Sequence, residues 1–387
     1  EQLSQSEFCL GCHQVAVHPG IKLETVWDEY RASPALEQGI TCQDCHMSTY
    51  PGQPSGYATG PAAIVNGRTV NDERKRTNHA FVGPGYPITH PGIFPHHPGA
   101  ERYTVEEWLT FDYRAGWGTD GFEDRVAAGE VEVEFPETWA YADDRVEARL
   151  IVDDNLAKIE ERAHLRHLLM EGSSRIDGPF FRGDPRSGRD LAFHYRVTNL
   201  NSGHNMPSGS LGAQPEIWLN VALINPAGET VWESGYVDSH GDMADLHSFD
   251  VQAGTLPHDG QLFNLQSKFL TTNLKGTDRE MYLPVPMDAD QIPFIRPANV
   301  PTSVLNHPPF IRMEKRSIPP LGSKDAKYSV PGRLLDTPGK YRLAVRLRSR
   351  AEPMYFMKFV GATKDMERAM NEWMIDVHPY TVEFTVE

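Results

Sequence analysis

Hydrophobic and polar positions change their rhythm along this chain. Up to about residue 100, short apolar pieces are broken by Pro, Gly and His, most densely from Gly83 to Gly99, and few regular elements fit. Thr104-Val105-Glu106-Glu107-Trp108-Leu109 then reads as the capped first turn of a helix, with acids near its positive end. Between Asp154 and Glu171 the apolar residues Leu156, Ile159, Ala163, Leu165, Leu168 and Leu169 follow a helical spacing, and Gly172 reads as its stop. His164 and His167 lie on this predicted helix; without a third ligand nearby they read as surface or packing residues. Beyond residue 188 the pattern turns to β. Leu191–Val197, Glu216–Ile224, Thr230–Glu233, Tyr341–Leu347 and Tyr380–Val386 alternate or run apolar, and Asn225-Pro226-Ala227-Gly228 reads as a hairpin turn. A β-sandwich-like domain follows. The Pro-rich stretch from Met281 to Pro338 reads as an excursion, because so long a structureless loop is unusual inside one compact domain.

The predicted fold class is therefore α+β, mostly β and irregular, with helix the minority. A chain of 387 residues exceeds what one core usually serves. The expected division is 1–100, a helical or irregular connection at 101–187, and the β domain at 188–387 with its excursion at about 281–338. Hydrophobic residues at 39% and charged residues at 23% describe an ordinary globular protein, and no run of eighteen apolar residues suggests a transmembrane segment. A net charge of −16 speaks against nucleic acid and favours either a basic redox partner or plain solubility. The start, Glu1-Gln2-Leu3-Ser4, reads as a mature chain whose signal peptide has been removed.

All four cysteines fall in two identical frames, Cys9-Leu10-Gly11-Cys12-His13 and Cys42-Gln43-Asp44-Cys45-His46. Two thiols three positions apart can each form a thioether to one vinyl group of a porphyrin, and the adjacent imidazole reaches the iron. The expected cofactors are two covalently attached c-type haems, with 1–100 as the dihaem segment. Two other chemistries use such thiols. A zinc ribbon does not need His directly after both pairs, and a redox dithiol needs one motif in a βαβ setting. Only 28 residues lie between His13 and Cys42, too few for a separate helical domain around the first site, so the two haems are expected to share one small domain.

His13 and His46 are the expected proximal ligands. For the distal positions His18 and His79 lead, with His204, His90, His96 and His97 as alternatives. His18 is too near His13 to reach the same iron but could reach the neighbouring one. His-Pro-Gly recurs at His18, His90 and His97, and at the latter two it reads first as a turn. Gly203-His204-Asn205-Met206-Pro207-Ser208-Gly209 reads as a loop between strands that carries an imidazole and a thioether.

The segment Phe8–Met47 resembles the opening haem pair of multihaem cytochromes related to hydroxylamine oxidoreductase and the pentahaem nitrite reductases. The resemblance rests on Cys9–His13, Pro19-Gly20-Ile21, Tyr30–Ser33 and Gly39–Met47. His79 with Phe81-Val82-Gly83 looks like a ligand segment of such cytochromes, and Gly203–Gly209 with Leu343–Arg350 resembles a β domain often attached to them. Those relatives commonly place a His two residues after the Ser, where this chain has Ala35. The resemblance then implies a distal ligand from elsewhere in the chain or from another subunit. No counterpart of their Lys-ligated haem or tyrosine cross-link region is present, so electron transfer is what the resemblance supports.

The sequence thus points to a dihaem carrier, periplasmic, extracellular or at the cell surface, whose partners are redox proteins or, in a polymeric variant, copies of itself. Enzymatic activity stays open. The alternative is a haem enzyme with one open iron acting on a small nitrogen or oxygen species, and a third reading makes the β domain a binding module.

Overall fold

A computed structural model of the chain describes residues 2–17, 21–50, 52–85, 90–208, 215–245, 248–266, 268–274, 277–279, 310–314, 316–359 and 361–387. His18 and residues 281–309 of the expected excursion lie outside them. Helices α1 (Glu7–His13), α2 (Val26–Arg31), α3 (Pro34–Glu37) and α4 (Cys42–His46) open the chain, with strands β1 (Val15–Val17) and β2 (Ile21–Glu24) paired between the first two. A long hairpin follows from β3 (Ala58–Pro61), β4 (Ile64–Val65), β5 (Arg68–Thr69) and β6 (Glu73–Arg76). Then come α5 (Val105–Thr110), α6 (Asp120–Ala127) and α7 (Ala142–Ser173). The rest is β7 (Ser174–Phe181), β8 (Leu191–Asn199), β9 (Glu216–Ile224), β10 (Thr230–Ser234), α8 (Phe249–Ala253), β11 (Lys268–Leu274), β12 (Thr277–Arg279), β13 (Phe310–Glu314), β14 (Ser323–Val330), β15 (Gly339–Arg350), α9 (Met354–Phe359), α10 (Lys364–Glu372) and β16 (Ile375–Val386).

The class is α+β, with helix at 32% the minority against strand and irregular chain together, although it outweighs strand alone at 26%. Much of the difference is α7. It begins twelve residues before the expected start and runs through Gly172 (142 against 154). At its start Arg145 is buried and bonded to Glu123 and to the carbonyls of Trp139 and Ala140, a non-local anchor invisible to periodicity. The end of α7 lies where expected to within a residue, at Ser173, and a Cβ on Gly172 would meet the Gln53 amide at 2.5 Å.

Contacts divide the chain into two compact units, one of 1–85, 166–362 and 370–387, the other of 86–165 and 363–369. This differs from the expected three consecutive parts, because residues up to Gly85 group with the sandwich. In the larger unit, the sheet β10-β9-β15-β16 faces the sheet β14-β8-β7. Tyr341, Leu343, Val345 and Leu347 of β15 and Leu191, Phe193, Tyr195 and Val197 of β8 are buried at alternate positions. Aromatic contacts close the interface: Phe193 with Trp232 at 6.1 Å, Phe181 with Phe384 at 5.0 Å and Tyr195 with Tyr380 at 6.2 Å. β14 falls within the stretch expected to be structureless; its Ala326, Tyr328 and Val330 alternate among Lys, Ser and Asp that mask the signal.

The first 85 residues bury little of their own. Among their described side chains Tyr30, Ala35 and Val82 are the buried hydrophobic ones, while Leu3, Phe8, Leu36, Tyr50 and Phe81 are exposed. The smaller unit is the reverse, a core of Trp108, Phe111, Trp117, Phe122, Trp139, Ala148, Ile151 and Val152.

Candidate functional site

Each Cys-x-x-Cys-His run occupies one short helix, which puts both thiols and the imidazole on one face. Thr41 and Asp44 form a capping box around α4, with Asp44 N–H donating to Thr41 Oγ1 at 3.2 Å and Thr41 N–H donating to Asp44 Oδ2 at 2.8 Å. The two helices are bound together by a relay: Cys42 N–H donates to Ser6 Oγ at 3.0 Å, Ser6 to Tyr30 Oη at 3.0 Å, and Tyr30 to the Ile40 carbonyl at 2.9 Å. Gln43 Nε2 adds bonds to the carbonyls of Leu3 and Gln5. Cys9 and Cys42 meet thiol to thiol, a hydrogen bond that draws Cys42 down to about 7 and pushes Cys9 up. Burial lifts Cys45 to about 11.

His46 faces His204. Their ring centroids lie 6.0 Å apart and their planes differ by 13°. Burial above all, and the nearby His204 and His13, push the His46 imidazole down to about 4, so it is neutral. The nearby Val82 backbone works in the opposite direction, favouring the charged ring. His204 has Nδ1 2.9 Å from the Asn205 carbonyl and Nε2 3.3 Å from the Asn201 amide. A neutral imidazole such as His46 can offer a ring nitrogen to a metal, whereas His204 would first have to release the Asn201 amide from its Nε2. The exposed Phe8, Phe81 and Leu36 supply the apolar surface that a porphyrin would cover. The residues therefore fit haem.

The sandwich positions His204. At the end of β8 the buried Asn199 donates to the carbonyls of His204, Ile318 and Pro319. Met206 is buried and bridges to Ile318, so the thioether of this loop belongs to the core. The Asn205 N–H donates to Glu29 Oε2 at 3.2 Å, which ties the same loop to α2.

His79 is exposed, with Nδ1 3.0 Å from the Thr77 carbonyl and its ring edge-on to Phe81 at 5.9 Å. His90 and His97 belong to the smaller unit, where each builds the same turn: Gly92 N–H donates to His90 Nδ1 at 3.0 Å and Gly99 N–H to His97 Nδ1 at 3.1 Å. His90 spends its other nitrogen on the Phe111 carbonyl at 2.9 Å, and His97 Nε2 lies 3.8 Å from Asp154. Exposed His96 stands 3.9 Å from Glu101. Among the described residues no group of three or more His, Cys, Asp or Glu is gathered for a bare metal ion, and no helix is long and apolar enough to cross a membrane. The Val82 backbone, Asn199 and Glu29 carry no motif; they are found only once the loops meet.

No family model and no curated protein matches the chain. Among solved structures it is similar to a penta-heme cytochrome c552 from Thermochromatium tepidum, with 13% identity and a TM-score of 0.42 over 100% of this chain and 57% of that one. It thus spans little more than half of that structure. A Pseudomonas fluorescens alkylpurine DNA glycosylase, AlkC, bound to DNA with an abasic-site analogue also matches, with 8% identity and a TM-score of 0.18 over 73% of this chain and 50% of that one. Likenesses so remote carry no argument about function.

Proposed function

We propose that this chain is a dihaem c-type cytochrome that transfers electrons outside the cytoplasm. Cys9 and Cys12 would hold one haem and Cys42 and Cys45 the other, with His13 and His46 as proximal ligands. The observation that carries the reading is the pair of facing imidazoles, His46 and His204, 6.0 Å apart with ring planes 13° from parallel, with His204 Nδ1 against the Asn205 carbonyl. His204 is then the distal ligand of the second haem, in preference to His18 or His79. A bound haem supplies one-electron redox chemistry. The chain's own residues do the rest: Ser6, Tyr30 and Gln43 clamp α1 to α4, and the Cys9–Cys42 contact brings the two attachment sites edge to edge, which favours fast exchange between them. Covalent attachment at two Cys-x-x-Cys-His runs supports a periplasmic or extracellular setting. The partners are redox proteins.

The second reading, an enzyme with one open iron, draws on a difference between the sites. No described ring is set against His13 as His204 is against His46. His79, with Nδ1 held by a carbonyl, is the described residue best prepared to fill that place, and His18 remains the other candidate.

The test is the electron paramagnetic resonance spectrum of the oxidised, haem-loaded protein beside that of His204→Ala. Low-spin iron in the parent and loss of one low-spin component in the variant, with carbon monoxide binding on reduction, is the expected result. A variant spectrum identical to the parent's removes His204 from the ligand set. A high-spin component already in the parent moves the assignment to the enzyme.

A further inference from the structure

The hairpin from β3 to β6 is exposed far beyond what its composition suits. Asn66 at φ 49° and Gly67 at φ 75° close it as a two-residue turn, and every residue from Ile64 to Arg76 is exposed. Ile64, Val65 and Val70 stand in water at its tip. β3 and β6 pair only with each other, so both outer edges present unpaired main chain. Such a ribbon is marginal by itself. It also carries Arg68, Arg74, Lys75 and Arg76 against Asp72 and Glu73, a basic arm on a chain of net charge −16. Arg74 and Arg76 share one face; Lys75, on the other, lies 3.3 Å over the Tyr57 ring, whose hydroxyl donates to Asp44 of α4 at 2.6 Å.

The smaller unit holds the complement. Glu130-Val131-Glu132-Val133-Glu134-Phe135 alternates acid and apolar, with Val131 and Phe135 packed on the aromatic core and all three glutamates exposed. It is not in any strand, and among the described residues neither the N–H nor the carbonyl of Val131 through Glu134 has a hydrogen-bond partner. This is a strand edge awaiting a strand.

We propose that the arm of one copy of this chain docks on the Glu130–Glu134 segment of a second copy, extending it by one strand. Arg74 and Arg76 recur every second residue, as do Glu130, Glu132 and Glu134, so a shared register sets cations opposite carboxylates. Pairing β6 with β6 instead would set at least two cations against each other in either antiparallel register. Because arm and segment are different surfaces, the contact is heterologous: each copy offers an arm to one neighbour and a segment to another, or exchanges both with one partner.

Sedimentation velocity on the haem-loaded chain tests this. The parent is expected to gain mass with concentration and lose it with salt. Arg74→Glu with Arg76→Glu, and separately Glu130→Lys with Glu132→Lys and Glu134→Lys, should each give monomers. An equimolar mixture of the two variants should regain assembly, since each reversed surface then meets its complement. A parent that is monomeric at all concentrations, assembly indifferent to either reversal, or a mixture that stays monomeric overturns the proposal. Haem content read by pyridine haemochrome absorbance stands apart, because assembly without haem would sink the cytochrome reading and leave the docking contact in place.

Discussion

The N–H of Ala35 donates to the carbonyl of Ser202 at 3.1 Å, and this single bond sets the His204 loop on α3. Ala35 is 2% exposed and lies under Gly203. Ala35 is therefore the seat of the loop that brings His204 in. Ala35→Leu should overpack this seat at about 1–3 kcal/mol. It should also lift His204 from His46, so that part of the low-spin signal turns high-spin. Unchanged magnetic resonance in a folded Ala35→Leu would disprove the seating.

Ser6 accepts from Cys42 N–H and donates to Tyr30, so Ser6→Ala strands two partners at once. A loss of about 1–3 kcal/mol is expected in urea unfolding of the haem-loaded protein. Tyr30→Phe should cost about 1 kcal/mol through the Ile40 bond, and the double variant less than the sum, because both act on one relay. Full additivity would mean that the relay is not a unit.

A second buried polar group gives a pH dependence. Glu216 binds Arg350, while Asp242, whose Oδ2 has no hydrogen-bond partner, and Glu352 are lifted to about 8, first by burial and then by the Glu216 charge. A carboxyl raised in the folded state binds a proton there that the unfolded chain releases near pH 4. Its stabilising effect is whole below that pH and is lost as pH climbs to 8, at up to about 1.4 kcal/mol per unit for each proton. Asp242→Asn should thus gain on the parent in melting temperature from pH 5 to 9. A constant difference across that range would refute the assignment.

The His90 turn predicts a division between stability and spectrum. A Cβ on Gly92 would stand 2.0 Å from the Trp108 ring. Gly92→Ala, and His90→Ala with its two lost bonds, should each lower the melting temperature of the smaller unit and leave the haem spectrum untouched. A changed spectrum in His90→Ala would restore it as a ligand.

The two Cys-x-x-Cys-His runs are legible because each is local: five consecutive residues on one short helix carry both thiols and the imidazole. The strands were legible for the same reason, through alternation at Leu191–Val197 and Glu216–Ile224. The facing of His204 on His46 is not local. His204 lies 158 positions from His46, and what fits it is set by Asn199, Glu29 and Ala35 from three other elements, none with a signature of its own (204 against 46). The hairpin had a plain signal in Asn66-Gly67 that the surrounding prolines and glycines drowned. In α7 the end beside Gly172 is legible, while the start at Ala142 is not, because it rests on the bonds of Arg145 to Glu123 and to the Trp139 and Ala140 carbonyls.

Tyr30, Ala35 and Val82 are a poor interior for the opening 85 residues. On the cytochrome reading the porphyrins themselves are the missing interior, and order in space becomes order in time. The newly exported chain would stay loose here until its cofactors are fastened. Only then could α1 and α4 close, the thiols of Cys9 and Cys42 being already spent on different partners. Biogenesis of this segment is in that sense a chemical event before it is a conformational one, and a cell short of haem would accumulate a chain with a finished sandwich and an unfinished head.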